Sequence, residues 1–89
     1  MAIVRSATII SANGKKVELD HKPTLEEAQR IVGGYVEVAH GRDQHGAFQL
    51  LVNEDGWPLR LPFNQAATEC YKVSEIAGDV ILLRGWRFS

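Results

Sequence analysis

Along residues 24–40 the hydrophobic positions follow two different periods, and the change of period predicts a helix that leads directly into a strand. Spacings of three and four residues, typical of one helical face, separate Leu25, Ala28, Ile31 and Val32. Residues 35–40 alternate instead between the two sides of a strand. Gly33 stands between the two segments, where a helix commonly ends in a left-handed residue. We therefore predict that the helix packs back against the strand that it feeds.

Two helix starts are marked by side chains that can cap free backbone amides. Thr24 and Glu27 have the spacing of a capping box, in which each side chain accepts from the backbone amide of the other residue. Asn64 is a favourable N-cap residue for a second, shorter helix. These signals predict helices over residues 25–32 and 65–71.

The beginning of the chain predicts a β-hairpin. Residues 3–10 are rich in β-branched side chains and indicate a strand. Asn13-Gly14 is a strong hairpin signal, because both residues tolerate the positive φ of a type I′ turn. A two-residue loop there returns the chain as a strand over residues 15–19. The expected cross-strand pairs are Ile10 with Val17 and Thr8 with Leu19.

Further strands are predicted after the first helix. Residues 35–40 and 47–52 indicate a second hairpin, joined by a polar loop over residues 41–46. The segment over residues 57–62 contains two prolines, which cannot donate to a ladder, so any strand there is short and at an edge. Residues 80–83 form an unbroken apolar run and predict an interior strand covered on both faces.

Together these elements predict an α+β fold: a mostly antiparallel sheet of five to six strands with one or two short helices packed on it. We expect the 89 residues to form a single domain. Within that domain we distinguish an N-terminal hairpin (residues 1–19), a core (residues 24–83) and a C-terminal tail (residues 84–89).

The composition, with 45% hydrophobic and 24% charged residues, is that of a globular protein. Ten basic and eleven acidic residues give a net charge of −1, whereas a general grip on duplex DNA needs a basic excess. Cys70 is the only cysteine, which excludes an internal disulfide and fits a reducing compartment. Since we find neither a signal peptide nor an apolar stretch of ~20 residues, we expect a soluble cytoplasmic protein without membrane contact.

Three stretches of the chain, taken together, resemble the motifs of one protein family. Residues 32–37 have the form V-G-G-Y-x-E, and residues 61–68, preceded by the turn Asn53–Gly56, have the form L-P-x-N-x-x-A-T. Residues 76–82 have the form I-x-G-D followed by hydrophobic residues. The set resembles a family of small domains of unknown function carried mainly by bacteriophages and mobile elements. The resemblance covers residues 24–83 and implies a phage or prophage setting, hence a bacterial host cytoplasm, without implying an activity.

The residues predict no catalytic group, metal site or cofactor. His40 and His45, with Asp43 between them, come nearest to a metal site, but zinc needs three or four ligands of defined geometry. We interpret them as a solvated loop. Cys70 falls on the apolar face of a short helix, as a core cysteine does. Neither a G-x-S-x-G nucleophile turn nor a G-x-x-x-x-G-K phosphate loop is present in the sequence.

A candidate ligand site combines Arg60, Asn64 and Gln65 with Tyr35. If the second helix begins at Gln65, its free amides and positive dipole end lie close to Arg60 and favour an anion or a phosphate. The ring of Tyr35 provides a surface on which a base can stack. In the alternative interpretation Asn64 only caps its helix, Arg60 is a solvated edge residue and Tyr35 packs under a helix.

A candidate interface comprises Trp57, Trp86, Arg87 and Phe88. The tail that carries the last three either folds back over a sheet edge or docks on a second subunit, and we favour docking. This predicts a homodimer or an interface with a host protein. The same tail interleaves basic and aromatic side chains as single-strand binders do, but two arginines are too few without a wider basic patch.

From these observations we expect a non-enzymatic phage or prophage accessory protein that binds a component of its host. The first hypothesis is a protein–protein module, such as an inhibitor of host defence. The second is a protein that sequesters a small nucleotide through Arg60, Asn64 and Tyr35. Binding of single-stranded nucleic acid is the third hypothesis, which the net charge of −1 disfavours.

Overall fold

The computed structural model describes residues 5–88. In chain order its elements are β1 (Ser6–Ile10), β2 (Lys16–Leu19), α1 (Leu25–Val32), β3 (Val36–Asp43), β4 (Gly46–Asn53), α2 (Gln65–Tyr71) and β5 (Val80–Arg84). The strands form one antiparallel sheet in the order β2-β1-β5-β4-β3. The predicted α+β fold is therefore confirmed, with five of the expected five to six strands and two of the expected one or two short helices. Residues 3 and 4 of the first predicted strand and residue 89 of the tail lie outside the described residues.

The sheet carries one helix on each face, and β5 lies between β1 and β4. The sheet face that packs against α1 is named here the α1 face, and its buried residues Ala7, Leu51, Ile81 and Leu83 form one cluster with Ala28 of the helix. The opposite sheet face is named the α2 face, and its buried residues Ile10, Phe48, Leu50, Val52 and Val80 form a second cluster with Ala67 of α2 and Ile76 after it. Successive residues of β5 thus enter different clusters, as the alternation of a strand requires. The prediction of an interior strand covered on both faces is confirmed.

The junction between α1 and β3 is built as predicted. Thr24 Oγ1 accepts from the Glu27 amide, and the Glu27 carboxylate accepts from the Thr24 amide, which completes the capping box. Gly33 ends the helix in the left-handed region with φ 82°. The side-chain nitrogen of Asn53 donates to the Val32 carbonyl at 3.0 Å and ties the helix end to β4. The helix is therefore held against the strand pair that follows it.

The N-terminal hairpin has a different register from the predicted one. Ile9 pairs with Val17 and Ala7 with Leu19, so the expected pairs of Ile10 with Val17 and Thr8 with Leu19 are wrong by one residue. The Ser11 amide donates to the Lys15 carbonyl, which leaves three residues in the loop instead of two. Within the loop only Gly14 has a positive φ. Because a shift of one residue turns side chains to the other face, Leu19 packs on the α1 face.

The second hairpin is longer than predicted, because β3 continues through Gly41 to Asp43. The polar loop predicted over residues 41–46 is therefore wrong, and only Gln44 and His45 lie between the strands. Gly41 pairs with Phe48, and the absence of a side chain at the glycine leaves room for the aromatic ring. A glycine that suggests a loop in the sequence is here a strand residue.

The connection between β4 and α2 contains turns. Residues 54–60 form consecutive turns, so the optional edge strand over residues 57–62 does not form and the sheet has five of the expected five to six strands. Phe63 forms a single bridge with Ala77, and α2 follows its Asn64 cap as predicted. Among the helices within residues 5–88, none combines the length and the apolar character that crossing a membrane requires.

Candidate functional site

Asn64 is fully buried, and its side chain holds three parts of the fold together. Its Oδ1 accepts from the Ala67 amide at 3.0 Å, which caps α2. Its Nδ2 donates to the Ile10 carbonyl at 2.9 Å and to the Gly78 carbonyl at 2.8 Å. With no exposed surface Asn64 cannot contact a ligand, so its prediction as a ligand-binding residue is wrong. The alternative interpretation, a helix cap, is confirmed.

The other three predicted ligand residues are exposed. Arg60 lies on the turns after β4 with φ 57°, and Gln65 donates to the Glu69 carboxylate at 3.1 Å, one turn further along α2. Tyr35 is 70% exposed, so the alternative interpretation that it packs under a helix is wrong. Neither Tyr35 nor Arg60 lines either of the two clefts described below. Because the buried Asn64 cannot take part, the predicted anion site is left without the residue that was to join Arg60 to Gln65.

A cleft of about 210 Å³ opens on the α2 face, where β3 and β4 meet the turns after β4. Its apolar lining comes from Ala39, Val52, Ile76 and Ala77. Its polar and aromatic lining residues include Trp57 and Tyr71 and the acidic residues Glu37, Glu54 and Glu75. This cleft is named the acidic cleft, because three of its lining residues carry carboxylates.

Local contacts fix the loops around the acidic cleft. Asn53 Oδ1 accepts from the amide two residues further on at 2.7 Å, which turns the chain at the end of β4. Gly56 lies so close to Ala77 that an added Cβ would be 3.4 Å from the Ala77 carbonyl oxygen. Thr68 Oγ1 accepts from the Ile76 amide at 2.8 Å and holds the segment after α2. The cleft is therefore shaped by anchored loops.

The three carboxylates of the acidic cleft are not paired with a cation within residues 5–88. The ion pairs formed there are those of His21 with Asp20 and Glu27, and of Arg84 with Asp43. Carboxylates attract a cation by Coulomb forces, and aromatic rings attract it through their electron-rich faces. The apolar lining suits the methylene stem of a Lys or Arg side chain. The acidic cleft is thus chemically suited to a basic side chain.

Large apolar side chains are exposed in the segments that border the acidic cleft. The exposed fractions are 51% for Trp57, 58% for Leu59, 48% for Phe63 and 72% for Val73. Exposed large apolar residues in segments beside a polar centre are typical of a protein interaction surface. Trp57, a predicted interface residue, therefore belongs to both the cleft and its apolar border.

The C-terminal tail folds back over its own sheet. Trp86 and Phe88 are half-buried and pack against the cluster of the α1 face. The Phe88 amide donates to Gln49 Oε1 at 2.6 Å, and Lys22 Nζ donates to the carbonyl of Arg87. We therefore correct the preference for docking of this tail on a second subunit, because the described tail residues already cover a face of the same chain. The Arg87 side chain remains exposed.

The residues considered for metal binding and catalysis lie apart from the acidic cleft. Within residues 5–88, no three His, Cys, Asp or Glu side chains are placed to hold a metal ion. The hydrogen bonds from Arg84 to Asp43, at 2.5 and 3.1 Å, lower the pKa of the Asp43 carboxyl. Cys70 is half-buried and packs against the cluster of the α2 face, which confirms its prediction as a core residue.

The carboxylates of the acidic cleft were not among the residues predicted from the sequence. Glu37 and Glu54 stand in two of the stretches quoted for the resemblance, V-G-G-Y-x-E and the turn Asn53–Gly56. Their position in these motif stretches was the only sequence feature that could have pointed to Glu37 and Glu54. Glu75 lies in a polar link after α2, and no spacing rule connects it with the other two. Only the folding of β4 against the segment after α2 brings the three together.

Residues 6–86 match the family model described as a domain of unknown function, DUF3846. Comparison of the chain with curated proteins and with solved structures finds no significant match. Because the matched residues span most of the chain, the protein belongs to the DUF3846 family.

Proposed function

We propose that this member of the DUF3846 family is a non-enzymatic binding module whose acidic cleft receives a Lys or Arg side chain of a partner protein. The expected partner is a protein of a bacterial host, met in the host cytoplasm. The expected role is that of a phage or prophage accessory protein, such as an inhibitor of host defence. The phage setting rests on the resemblance of three motif stretches, and the binding site rests on the structure of the cleft.

The observation that carries this proposal is that three acidic residues, whose carboxylates form no ion pair within residues 5–88, line one cleft together with two aromatic residues. A cation over an aromatic face gains about 0.5–2 kcal/mol, depending on how far it is desolvated. Charge complementarity adds mainly to specificity and to the rate of encounter. A basic side chain in the acidic cleft therefore selects the partner and its orientation.

The affinity must come largely from the apolar border of the acidic cleft. Trp57, Leu59 and Phe63 follow one another in the connection between β4 and α2, and each is about half exposed. Burial of apolar surface contributes about 25 cal/mol per Å², and aromatic residues are frequent hot spots of interfaces. We therefore expect the partner to place a basic side chain in the cleft and an apolar surface against this connection.

A titration followed by NMR tests the cleft directly. The probes are N-acetyl-arginine amide and its neutral isostere N-acetyl-citrulline amide. We expect the arginine compound to shift the indole N–H of Trp57 and the amides of residues 54–57 and 74–77, while the citrulline compound leaves them in place. Equal shifts with both probes, or none with the charged one, would contradict the proposal.

Recovery of partners from a bacterial lysate tests the interface as a whole. Glu54→Gln combined with Glu75→Gln removes two charges from the cleft, and Trp57→Ser removes its exposed ring. The matched control is Glu18→Gln combined with Glu26→Gln, which removes two exposed acidic groups elsewhere. Partners lost from both cleft variants and retained by the control support the proposal.

Self-association through the same surface would appear in light scattering as a dimer of the wild type that Trp57→Ser dissociates.

A further inference from the structure

A second cleft, of about 340 Å³, lies on the α1 face beside the C-terminal tail. Its lining includes His40, Ala47, Gln49, Leu83, Trp86 and Arg87, and none of the described residues that line it is acidic. It is named the tail cleft. Its volume is at the small end of the range of about 300–1,000 Å³ that ligand pockets occupy. The tail cleft therefore differs from the acidic cleft in position, charge and size.

Gln49 supplies a hydrogen-bond donor that no residue of the described chain uses. Gln49 is only 8% exposed, and its Oε1 accepts from the Phe88 amide at 2.6 Å. Its amide nitrogen has no partner within residues 5–88, although every fully buried side-chain nitrogen or oxygen described there has one. That nitrogen must therefore meet solvent, and the tail cleft is the space that Gln49 lines. A nearly buried amide that lines a cleft and retains an unused donor is suited to a ligand acceptor.

The walls of the tail cleft add two further kinds of group. Trp86 contributes a half-buried ring, which stacks on planar ligands. Arg87 contributes an exposed guanidinium, and no carboxylate within residues 5–88 pairs with it. The backbone of Arg87 is held by the bond from Lys22 Nζ to its carbonyl, which places a second cation near the same rim. Guanidinium and ammonium groups are the usual partners of phosphate.

We propose that the tail cleft binds one nucleotide unit, meaning a base together with its phosphate. The base stacks on Trp86, a base acceptor receives a hydrogen bond from the Gln49 amide, and the phosphate contacts Arg87. The unit comes either from a free mononucleotide or from a single strand, since both present the same chemistry. This proposal is independent of the acidic cleft, which lies on the opposite face of the sheet.

Titrations with nucleoside monophosphates, their nucleosides and a short oligonucleotide test this assignment by NMR. We expect the monophosphate to shift the side-chain amide of Gln49 and the indole N–H of Trp86, and to leave Trp57 unchanged. Gln49→Glu keeps the acceptor for the Phe88 amide but replaces the donor by a carboxylate oxygen, so the Kd is expected to rise about tenfold or more. Unchanged affinity in Gln49→Glu would overturn the assignment.

A substitution at Arg87 distinguishes recognition of the phosphate from recognition of the base. Arg87→Gln is expected to weaken the monophosphate and to leave the nucleoside unaffected, whereas the control Arg30→Gln, with the same charge change at an exposed position outside the tail cleft, alters neither. Tighter, salt-dependent binding of the oligonucleotide identifies a strand as the source, and equal affinity per site identifies the free nucleotide. If neither probe shifts Gln49 and Trp86, the proposal is wrong.

Discussion

The ring of Phe48 lies against the backbone of Gly41, its partner across the β3–β4 ladder, and a Cβ added at Gly41 would be 2.3 Å from the ring's Cζ. On the same face the Arg84 guanidinium lies 5.2 Å from the centroid of the Phe48 ring. Arg84 in turn donates twice to the Asp43 carboxylate. The far end of the second hairpin is therefore held by one contiguous stack of side chains.

Gly41→Ala is expected to destabilise the protein by about 2 kcal/mol, because the new methyl group overlaps the Phe48 ring. The glycine has an ordinary negative φ, so the cost is steric and not conformational. Urea unfolding measures it. A double-mutant cycle with Phe48→Leu provides the control: the cost of the alanine should shrink when the ring is gone. The same cost in both backgrounds would show that the ring is not the cause.

The pair of Asp43 and Arg84 predicts a loss of stability in acid. The hydrogen bond from Arg84 lowers the pKa of Asp43 in the folded protein below its value in the unfolded chain. The stabilisation is therefore present above the unfolded pKa of about 3.9 and disappears as the pH falls through the folded pKa. Urea midpoints of the wild type should fall more steeply in acid than those of Asp43→Asn. Parallel curves would contradict the coupling.

Much of the fold follows from local signals, and the N-terminal hairpin shows where such signals fail. Thr24 and Glu27 mark the start of α1 and Gly33 marks its end. These signals are local, so the sequence alone is sufficient to predict this helix. Asn13-Gly14 is compatible with loops of two and of three residues. In the structure the Ala12 amide of that loop donates to the Asp79 carboxylate, a residue 67 positions away. The three-residue loop, and with it the register of the N-terminal hairpin, therefore occurs together with a long-range contact to Asp79, which no local sequence pattern predicts.

The candidate sites were harder to predict than the fold, because they too depend on contacts between residues far apart in the sequence. The role of Asn64 as a cap depends on residues three positions apart, but its bonds to Ile10 and Gly78 span 54 and 14 residues. Those distant bonds bury the side chain and remove it from any site. The tail cleft likewise needs Gln49 of β4 beside the C-terminal tail. Long-range pairing decides which polar residues remain free.

His21 predicts a second pH dependence, of opposite sign. Its Nδ1 lies 2.6 Å from Asp20 and its Nε2 lies 2.8 Å from Glu27, and the bond to Asp20 followed by that to Glu27 raises the pKa of the imidazole. The contribution of the charged imidazole is full below the unfolded pKa of about 6.5 and is lost as the pH rises through the folded value. An NMR titration should place the His21 midpoint above 6.5.

Two carboxyl-to-amide variants control the His21 titration. Asp20→Asn and Glu27→Gln should each lower the His21 midpoint, because each replaces a charged acceptor by a neutral one. Glu27→Gln keeps a side chain that can complete the capping box, so α1 should remain formed. A midpoint that neither substitution moves would show that these contacts do not persist in solution.

Asn64 provides the sharpest test of the fold, because one buried side chain makes three hydrogen bonds. Asn64→Ala removes all three and is expected to cost about 3 kcal/mol, a large share of the stability of a small domain. Gln65→Ala, at the next and exposed position, is the matched control and should cost less than about 0.5 kcal/mol. Urea unfolding at neutral pH compares them, and equal costs would contradict the role of Asn64.

Asn64→Asp distinguishes the cap from the two bonds that Nδ2 donates. The carboxylate retains an acceptor for the Ala67 amide, but it places an oxygen against the carbonyls of Ile10 and Gly78 where a donor stood. We expect this variant to be strongly destabilised at neutral pH and to recover in part on acidification, because the protonated acid donates one hydrogen bond again. Relative to Asn64→Ala, stability should therefore rise as the pH falls. If the two variants respond to pH alike, the donated bonds contribute little and the cap alone explains the residue.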